Sequence, residues 1–232
     1  MNLSKISVAS VLILTAIVAA CTNRDKTDSG LKFNALYFDY TITADESTDN
    51  VTCVFQYKDE DVEGKSINVD PATVELDGQP LKTDSAKLSG SFYEVQKPLD
   101  SFRGKHTIVF IPSQGKPLKN EFRFTPFVLA EELPEKLSRK PFTIEVKNFP
   151  ATEKSVRLLL LDTAFKSAGF NDLVPVVNGK IKIDQLILNT IKKGPINLEL
   201  FMEQEIPLQQ ATNAGGRISI TYGLRREFEL ID

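Results

Sequence analysis

The sequence predicts an all-β chain built from two antiparallel β-sandwich modules, and three observations carry that reading. Short runs of alternating apolar and polar residues recur along the chain, turn signals separate them, and one short segment alone has helical spacing. With 232 residues and 41% hydrophobic composition, the chain can bury one large core or two ordinary ones. The alternation fails between Phe127 and Pro141, where two prolines and mixed charges replace β-branched residues. This places a linker at 127–140 between modules at 33–126 and 141–232.

Before the first module, Lys5 supplies a positive start, and Ile6 to Ala20 form an apolar segment of 15 residues. At about 1.5 Å per residue this falls short of the roughly 30 Å hydrocarbon core, so a spanning helix is the weaker reading. Ala19 and Ala20 provide the small residues of a cleavage site, which makes 1–20 a signal peptide and the polar stretch 21–32 a tether. "IVAAC", Ile17 to Cys21, resembles the lipobox of bacterial lipoproteins. The resemblance implies cleavage between Ala20 and Cys21, acylation of Cys21, and membrane attachment through that residue. The alternative is an ordinary secretion signal in which Cys21 is incidental. Acylation of Cys21 leaves Cys53 without a disulfide partner in the mature chain.

In the first module, "LYFDYTI" places Leu36, Phe38, Tyr40 and Ile42 on one strand face, and "VTCVFQY" does the same for Val51, Cys53, Phe55 and Tyr57. Cys53 is therefore expected as a small core thiol rather than a reactive one. The Asp77-Gly78 pair marks a hairpin, and "HTIVFI" and "EFRFTPF" flank a turn rich in Pro and Gly.

In the second module "FTIEVKNF" opens the strands, and "VRLLLLD" is apolar on both faces, as a central strand would be. Asn178-Gly179 supplies a tight two-residue hairpin. Asp184 caps the helical segment "QLILNTI", expected to end at Gly194. "INLELFMEQEIPL" and "RISITYGLRREFELI" close the chain. In the last strand Arg226 shares the parity of Ile218, Ile220, Tyr222, Leu224, Phe228 and Leu230. An unbroken strand points its guanidinium toward the core, so the pattern predicts a bulge near Gly223 or a rim position; the sharper alternative is a buried pair with a carboxylate such as Glu203 or Glu205. The second half does not repeat the first at any fixed spacing.

The composition narrows the chemistry. Removing residues 1–20 leaves 27 basic and 31 acidic residues, a balance of −4 that argues against nucleic acid or anionic lipid as the main partner. His106 is the single histidine, and it sits at the start of a strand, not beside a nucleophile elbow. The sequence contains no phosphate-cradling loop and no dinucleotide fingerprint, so no catalytic residue, metal or cofactor is assigned. The acidic loops at 44–50 and 58–64 lack calcium-loop spacing and read as solvated hairpin loops. Glycan binding needs exposed aromatic platforms; there is no tryptophan, and Tyr37 and Tyr93 are the best candidates, with core or edge packing the blander role for each.

The mature chain resembles the uncharacterised lipoproteins of Bacteroidetes-type bacteria that carry tandem immunoglobulin-like sandwiches behind a lipobox, the likeness resting on "IVAAC" and the ending "GGRISITYGLRREFEL". The resemblance implies an outer-membrane location, facing the periplasm or the outside. Thr22 stands where an Asp would suggest inner-membrane retention, and "DSA" at 84–86 and "DTA" at 162–164 match a short O-glycosylation motif of such bacteria. The expected role is a non-enzymatic interaction or structural module with an envelope protein as partner. The alternatives are a glycan-binding accessory lipoprotein and a hydrolase using two carboxylates.

Overall fold

In the computed structural model, which describes residues 33–87 and 89–232, the first sandwich grows from two neighbouring strands with the expected parity. β1 (Leu36–Asp45) buries Leu36, Phe38, Tyr40 and Ile42, and β2 (Asn50–Asp59) buries Val51, Cys53, Phe55 and Tyr57. The two pair antiparallel with Tyr40 opposite Phe55 and Ile42 opposite Cys53. The rings of Phe38, Tyr40, Phe55, Tyr57 and Phe110 lie edge-on or tilted at centroid distances of 4.8–6.0 Å, the geometry aromatic quadrupoles favour.

Four elements come between: β3 (Thr73–Leu76), β4 (Gln79–Pro80), β5 (Thr83–Ala86) and β6 (Gly90–Pro98). After them come β7 (Gly104–Ile111) and β8 (Leu118–Phe124). The strands form one layer ordered β5-β6-β2-β1 and a second ordered β4-β3-β7-β8. With the strands lettered A, B, C, C′, D, E, F and G in chain order, this is D-E-B-A against C′-C-F-G, an immunoglobulin-like arrangement. Asp77 and Gly78 both take positive φ (52° and 75°) between β3 and β4, as a tight hairpin requires.

The second sandwich comprises β9 (Val128–Leu129), β10 (Lys136–Ser138), β11 (Phe142–Lys147), β12 (Ser155–Asp162), β13 (Phe170–Val177), β14 (Lys180–Ile183), a short helix α1 (Gln185–Asn189), β15 (Gly194–Pro207) and β16 (Gly216–Ile231). Its order is β16-β15-β12-β13-β14-β11-β9, with β10 parallel to β16. Again the lettering is immunoglobulin-like: A′-G-F-C-C′ continues into E-B-A. The stretch read from sequence as a linker contributes β9 and β10, each hydrogen-bonded to the second sandwich. Asp184 does cap α1, its carboxylate accepting from the Ile187 N–H at 3.0 Å. The helix stops at Asn189, however, and Gly194 opens β15, because the Gly194–Pro207 segment finds a full-length partner in β16.

The β15–β16 hairpin outgrows the sandwich that builds it. Its ladder runs from Gly194 opposite Leu230 to Pro207 opposite Arg217 without interruption, so the bulge expected near Gly223 is not there. The far half of β16 lies parallel to β1, from Phe38 opposite Gly216 to Asp45 opposite Gly223. The two layers thereby fuse into one 12-stranded sheet, in which β16 adds two parallel contacts, with β1 and β10, to otherwise antiparallel pairing. The loop between β15 and β16 then closes on the other layer. Gln210 Oε1 accepts from the Lys119 N–H (2.7 Å), Gln209 Oε1 accepts from the Glu121 N–H (2.6 Å), and the fully buried Asn120 donates to the Gln210 carbonyl (2.9 Å). These two glutamines occupy backbone groups on the outer edge of β8, much as a further strand would. Residues Lys32–Asp232 accordingly make one compact unit.

Candidate functional site

Ala20 and Cys21, the expected cleavage and lipid-attachment positions, lie outside the described residues. Within them, Arg226 has the most elaborate charged environment. Because the ladder is unbroken, its side chain follows the core parity and ends 20% exposed where the two sandwiches meet. There its Nη1 donates to Glu46 Oε2 (2.6 Å), its Nε to Glu132 Oε2 (2.6 Å) and its Nη2 to Glu132 Oε1 (2.9 Å). The carboxylate pair anticipated for it exists, but the partners are Glu46 from the β1–β2 loop and Glu132 from the segment between β9 and β10. Glu203 pairs with Arg157 and Glu205 with Arg217 instead. Hydrogen bonds from Arg226 hold the Glu132 carboxyl below its usual range. The same contacts, Glu46 first, push the guanidinium pKa up.

A second network lies on the outer face of the fused sheet. Asp39 of β1, 6% exposed, accepts from Lys58 of β2 (2.6 Å) and Arg217 of β16 (3.0 Å). Each charge is met, so the network ties three strands together and leaves no group poised for chemistry.

His106 is 7% exposed and stacks on Phe102 at 3.8 Å. Its Nδ1 lies 2.7 Å from Asp77 Oδ2 and its Nε2 lies 2.7 Å from the Phe102 carbonyl oxygen. Both nitrogens face acceptors, so the ring staples the Asp77-Gly78 hairpin to β7 and takes no nucleophile's proton. Cys53 is fully buried, with no disulfide among the described residues, and burial pushes its thiol up to about 12.

Of the two tyrosines considered for glycan contact, Tyr93 does not reach the surface: it is 2% exposed and sits edge-on to Tyr57 at 6.0 Å. The residue lies on the inner face of β6, opposite Phe55. Tyr37 is half-buried beside Arg217 and Asp39, and burial raises its hydroxyl pKa. The two do not share a surface.

The acidic loops are committed to turns and pairs. Asp45 accepts from the Ser47 N–H (2.8 Å), Glu46 binds Arg226, and Asp61 accepts from the Glu63 N–H (2.9 Å). Among the described residues, no group of three or more His, Cys, Asp or Glu is placed to hold a metal ion. Hydrogen bonds they accept hold the carboxyl groups of Glu121, Glu132, Asp162 and Asp232 below their usual range. Ser85 and Thr163, the hydroxyl residues of the two short tripeptides, are both exposed.

A shallow groove of about 710 Å³ runs over β11, β13 and β14, with Pro175 and Val177 as its apolar wall and Lys180 and Lys182 across from them. Among the described residues the exposed large apolar side chains are Phe165, Leu173, Val177, Leu186 and Ile231, all in this half. The outer edge of β13 is blunted against strand addition. Pro175 has no N–H to offer, and the Leu173 N–H is taken by the Asp172 carboxylate at 2.7 Å. This face presents side chains, and its backbone is withheld.

No family model and no curated protein matches the sequence. Solved structures with some likeness include the tandem Ig repeats of Dlar, at 6% identity over 81% of this chain and 97% of that one, with a TM-score of 0.25. Sidekick-1 immunoglobulin domains 1–4 give 10% identity over 85% and 48%, with a TM-score of 0.26. A Ca²⁺-stabilised, ice-binding adhesin of an Antarctic bacterium gives 11% over 85% and 50%, with a TM-score of 0.24. Scores this low add nothing to the fold assignment, which rests on the strand order alone.

Proposed function

We propose that this chain is a non-enzymatic interaction module of the bacterial cell envelope, held to the outer membrane through acylated Cys21 and using its second sandwich to bind an envelope protein. The observation that supports the reading is the uneven distribution of exposed apolar side chains, with Leu173 and Val177 on the outer face of β13 beside the Lys-rimmed groove. Monomeric surfaces seldom leave such residues clustered without a use. The fused sheet complements this role, because a rigid pair of sandwiches holds that face in a fixed orientation to the point where the chain enters at Phe33. The glycan-binding alternative lost one of its two tyrosines to the core. The hydrolase alternative needs two carboxylates converging in a cleft, and the acidic loops instead spend Asp45 and Asp61 on turns and Glu46 on Arg226.

Two measurements test the proposal. Mass spectrometry of the amino-terminal peptide should find Cys21 acylated and terminal; a free Cys21 thiol on the mature chain overturns the anchor. Crosslinking in intact cells should recover one defined partner with the wild-type chain and lose it with Leu173→Asp/Val177→Asp. A partner captured equally by both chains removes the β13 face from the interface.

A further inference from the structure

One end of the second sandwich combines strain, exposed apolar side chains and cations that are unpaired among the described residues. The ladders bring four segments together there. Asp162 ends β12 opposite Ile196 near the start of β15, Gly194 lies opposite Leu230 near the end of β16, and the Thr163 N–H donates to the Pro195 carbonyl. Arg139 joins the rest: its N–H donates to the Ile231 carbonyl, and its guanidinium donates to the carbonyls of Leu188, in the last turn of α1, and Ile191, just after it. At this end Phe165 is 80% exposed, Leu186 77% and Ile231 41%.

The loop carrying Phe165 is built to hold it outward. The Asp162 carboxylate, 4% exposed, accepts from the Lys166 N–H (2.8 Å), the Ser167 N–H (2.8 Å) and the Ser167 hydroxyl, which lowers its pKa. The Phe165 N–H donates to the Asp162 carbonyl (3.0 Å). Within this frame Phe165 adopts φ 52°, a left-handed conformation that a bulky side chain enters only at a cost. A strained, fully framed phenylalanine pointing into solvent needs an apolar destination. Among the described residues, Lys140, Lys166 and Lys192 stand exposed on the same end without a carboxylate partner, while Asp232 pairs with Lys193 at 2.7 Å and Asp184 is committed to capping α1.

We propose that this end docks on the surface of an anionic phospholipid bilayer, with Phe165, Leu186 and Ile231 entering the headgroup and acyl boundary and the three lysines meeting lipid phosphates. Both features of the end are met by one occupant: apolar side chains partition into the interface, and lysine stems lie along it with their ammonium groups at the level of the phosphates. The overall negative balance of the chain conceals this local excess of cations. The proposal stands apart from acylation of Cys21 and from the groove over β13. With the chain entering at the opposite end of the molecule, it gives a tethered molecule a second membrane contact.

The test uses the compact Lys32–Asp232 unit, which carries neither the apolar leader nor Cys21. The chain has no tryptophan, so Phe165→Trp reports from the loop alone. On phosphatidylglycerol/phosphatidylcholine vesicles its emission should shift to the blue and be quenched by brominated acyl chains, with no change on phosphatidylcholine alone. Leu186→Ser should weaken vesicle cosedimentation about tenfold, as expected for removing one inserted side chain, and K166E/K192E should abolish it. Leu173→Trp, on the side of the same sandwich, should stay unshifted. Unshifted emission from Phe165→Trp on anionic vesicles, an equal shift from Leu173→Trp, or binding indifferent to K166E/K192E overturns the proposal; the first of these results leaves the end to a protein partner.

Discussion

Replacing Gly216 by alanine tests the fusion of the two sandwiches at its first residue. Gly216 starts the parallel ladder opposite Phe38 and takes φ 154°, outside the range of an unstrained L-residue. A Cβ there would lie 2.8 Å from the Phe38 Cβ, 2.6 Å from Leu208 Cδ1 and closer still to the Phe38 carbonyl oxygen, which belongs to the backbone of β1. The dihedral strain costs about 1–3 kcal/mol and the forced separation of packed strands a similar amount, so Gly216→Ala should destabilise by about 3 kcal/mol or more. Gly215 is the internal control. It too has positive φ (80°), but an added Cβ would meet nothing within 4 Å, so Gly215→Ala should cost only about 1 kcal/mol. In a unit of this size each kcal/mol moves the midpoint by roughly 2–4 °C, which puts Gly216→Ala about 6–12 °C below wild type in thermal unfolding followed by circular dichroism. Gly216→Ala and Gly215→Ala falling together would refute the argument that β16 is wedged tightly against β1. A single transition in wild type that splits into two in Gly216→Ala would give it the strongest support.

Arg226→Met should lower stability by about 1–2 kcal/mol, discounted for the exposure of Glu132, and should flatten the acid limb of the stability curve. The carboxyl pKa of Glu132 is depressed in the fold, so its contribution is present above the unfolded value of about 4.3 and is lost as pH falls through the folded one; urea midpoints across that range measure it. Cys53 should resist a disulfide thiol reagent at neutral pH in the native chain and react at once in guanidinium chloride; fast native labelling would contradict its burial. His106→Leu should cost about 2 kcal/mol by urea unfolding, because it strips Asp77 of one partner and leaves the buried Phe102 carbonyl without a donor.

Features with local causes were legible in the sequence. The parity of Leu36 to Ile42 and of Val51 to Tyr57 is a property of neighbouring residues, as are the Asp77-Gly78 and Asn178-Gly179 hairpins and the Asp184 cap, and the structure has each of them. The partnership of β1 with β16 was not legible, since it joins residues about 180 positions apart and leaves no mark on the spacing of either strand. The irregular stretch 127–140 shows the same limit: β9 and β10 are two and three residues long and are made by their partners rather than by propensity. Arg226 lies between these cases. Its parity announced an anomaly, but the choice between a bulge and a pair depended on Glu46 and Glu132, which proximity in the chain could not name. Exposure of Phe165 follows from the Asp162 frame, a side-chain bracket that periodicity does not encode.

The parallel ladder between β1 and β16 has a mechanical consequence. Leu36 begins β1 close to where the described chain starts, and β16 ends at Ile231 on the opposite end of the molecule. Tension applied between those ends draws the two strands past each other along their length, so the rungs from Phe38–Gly216 to Asp45–Gly223 share the load together instead of parting one after another. A tug on this molecule meets a lap joint, and the sandwiches on either side of it stay closed until the joint shears.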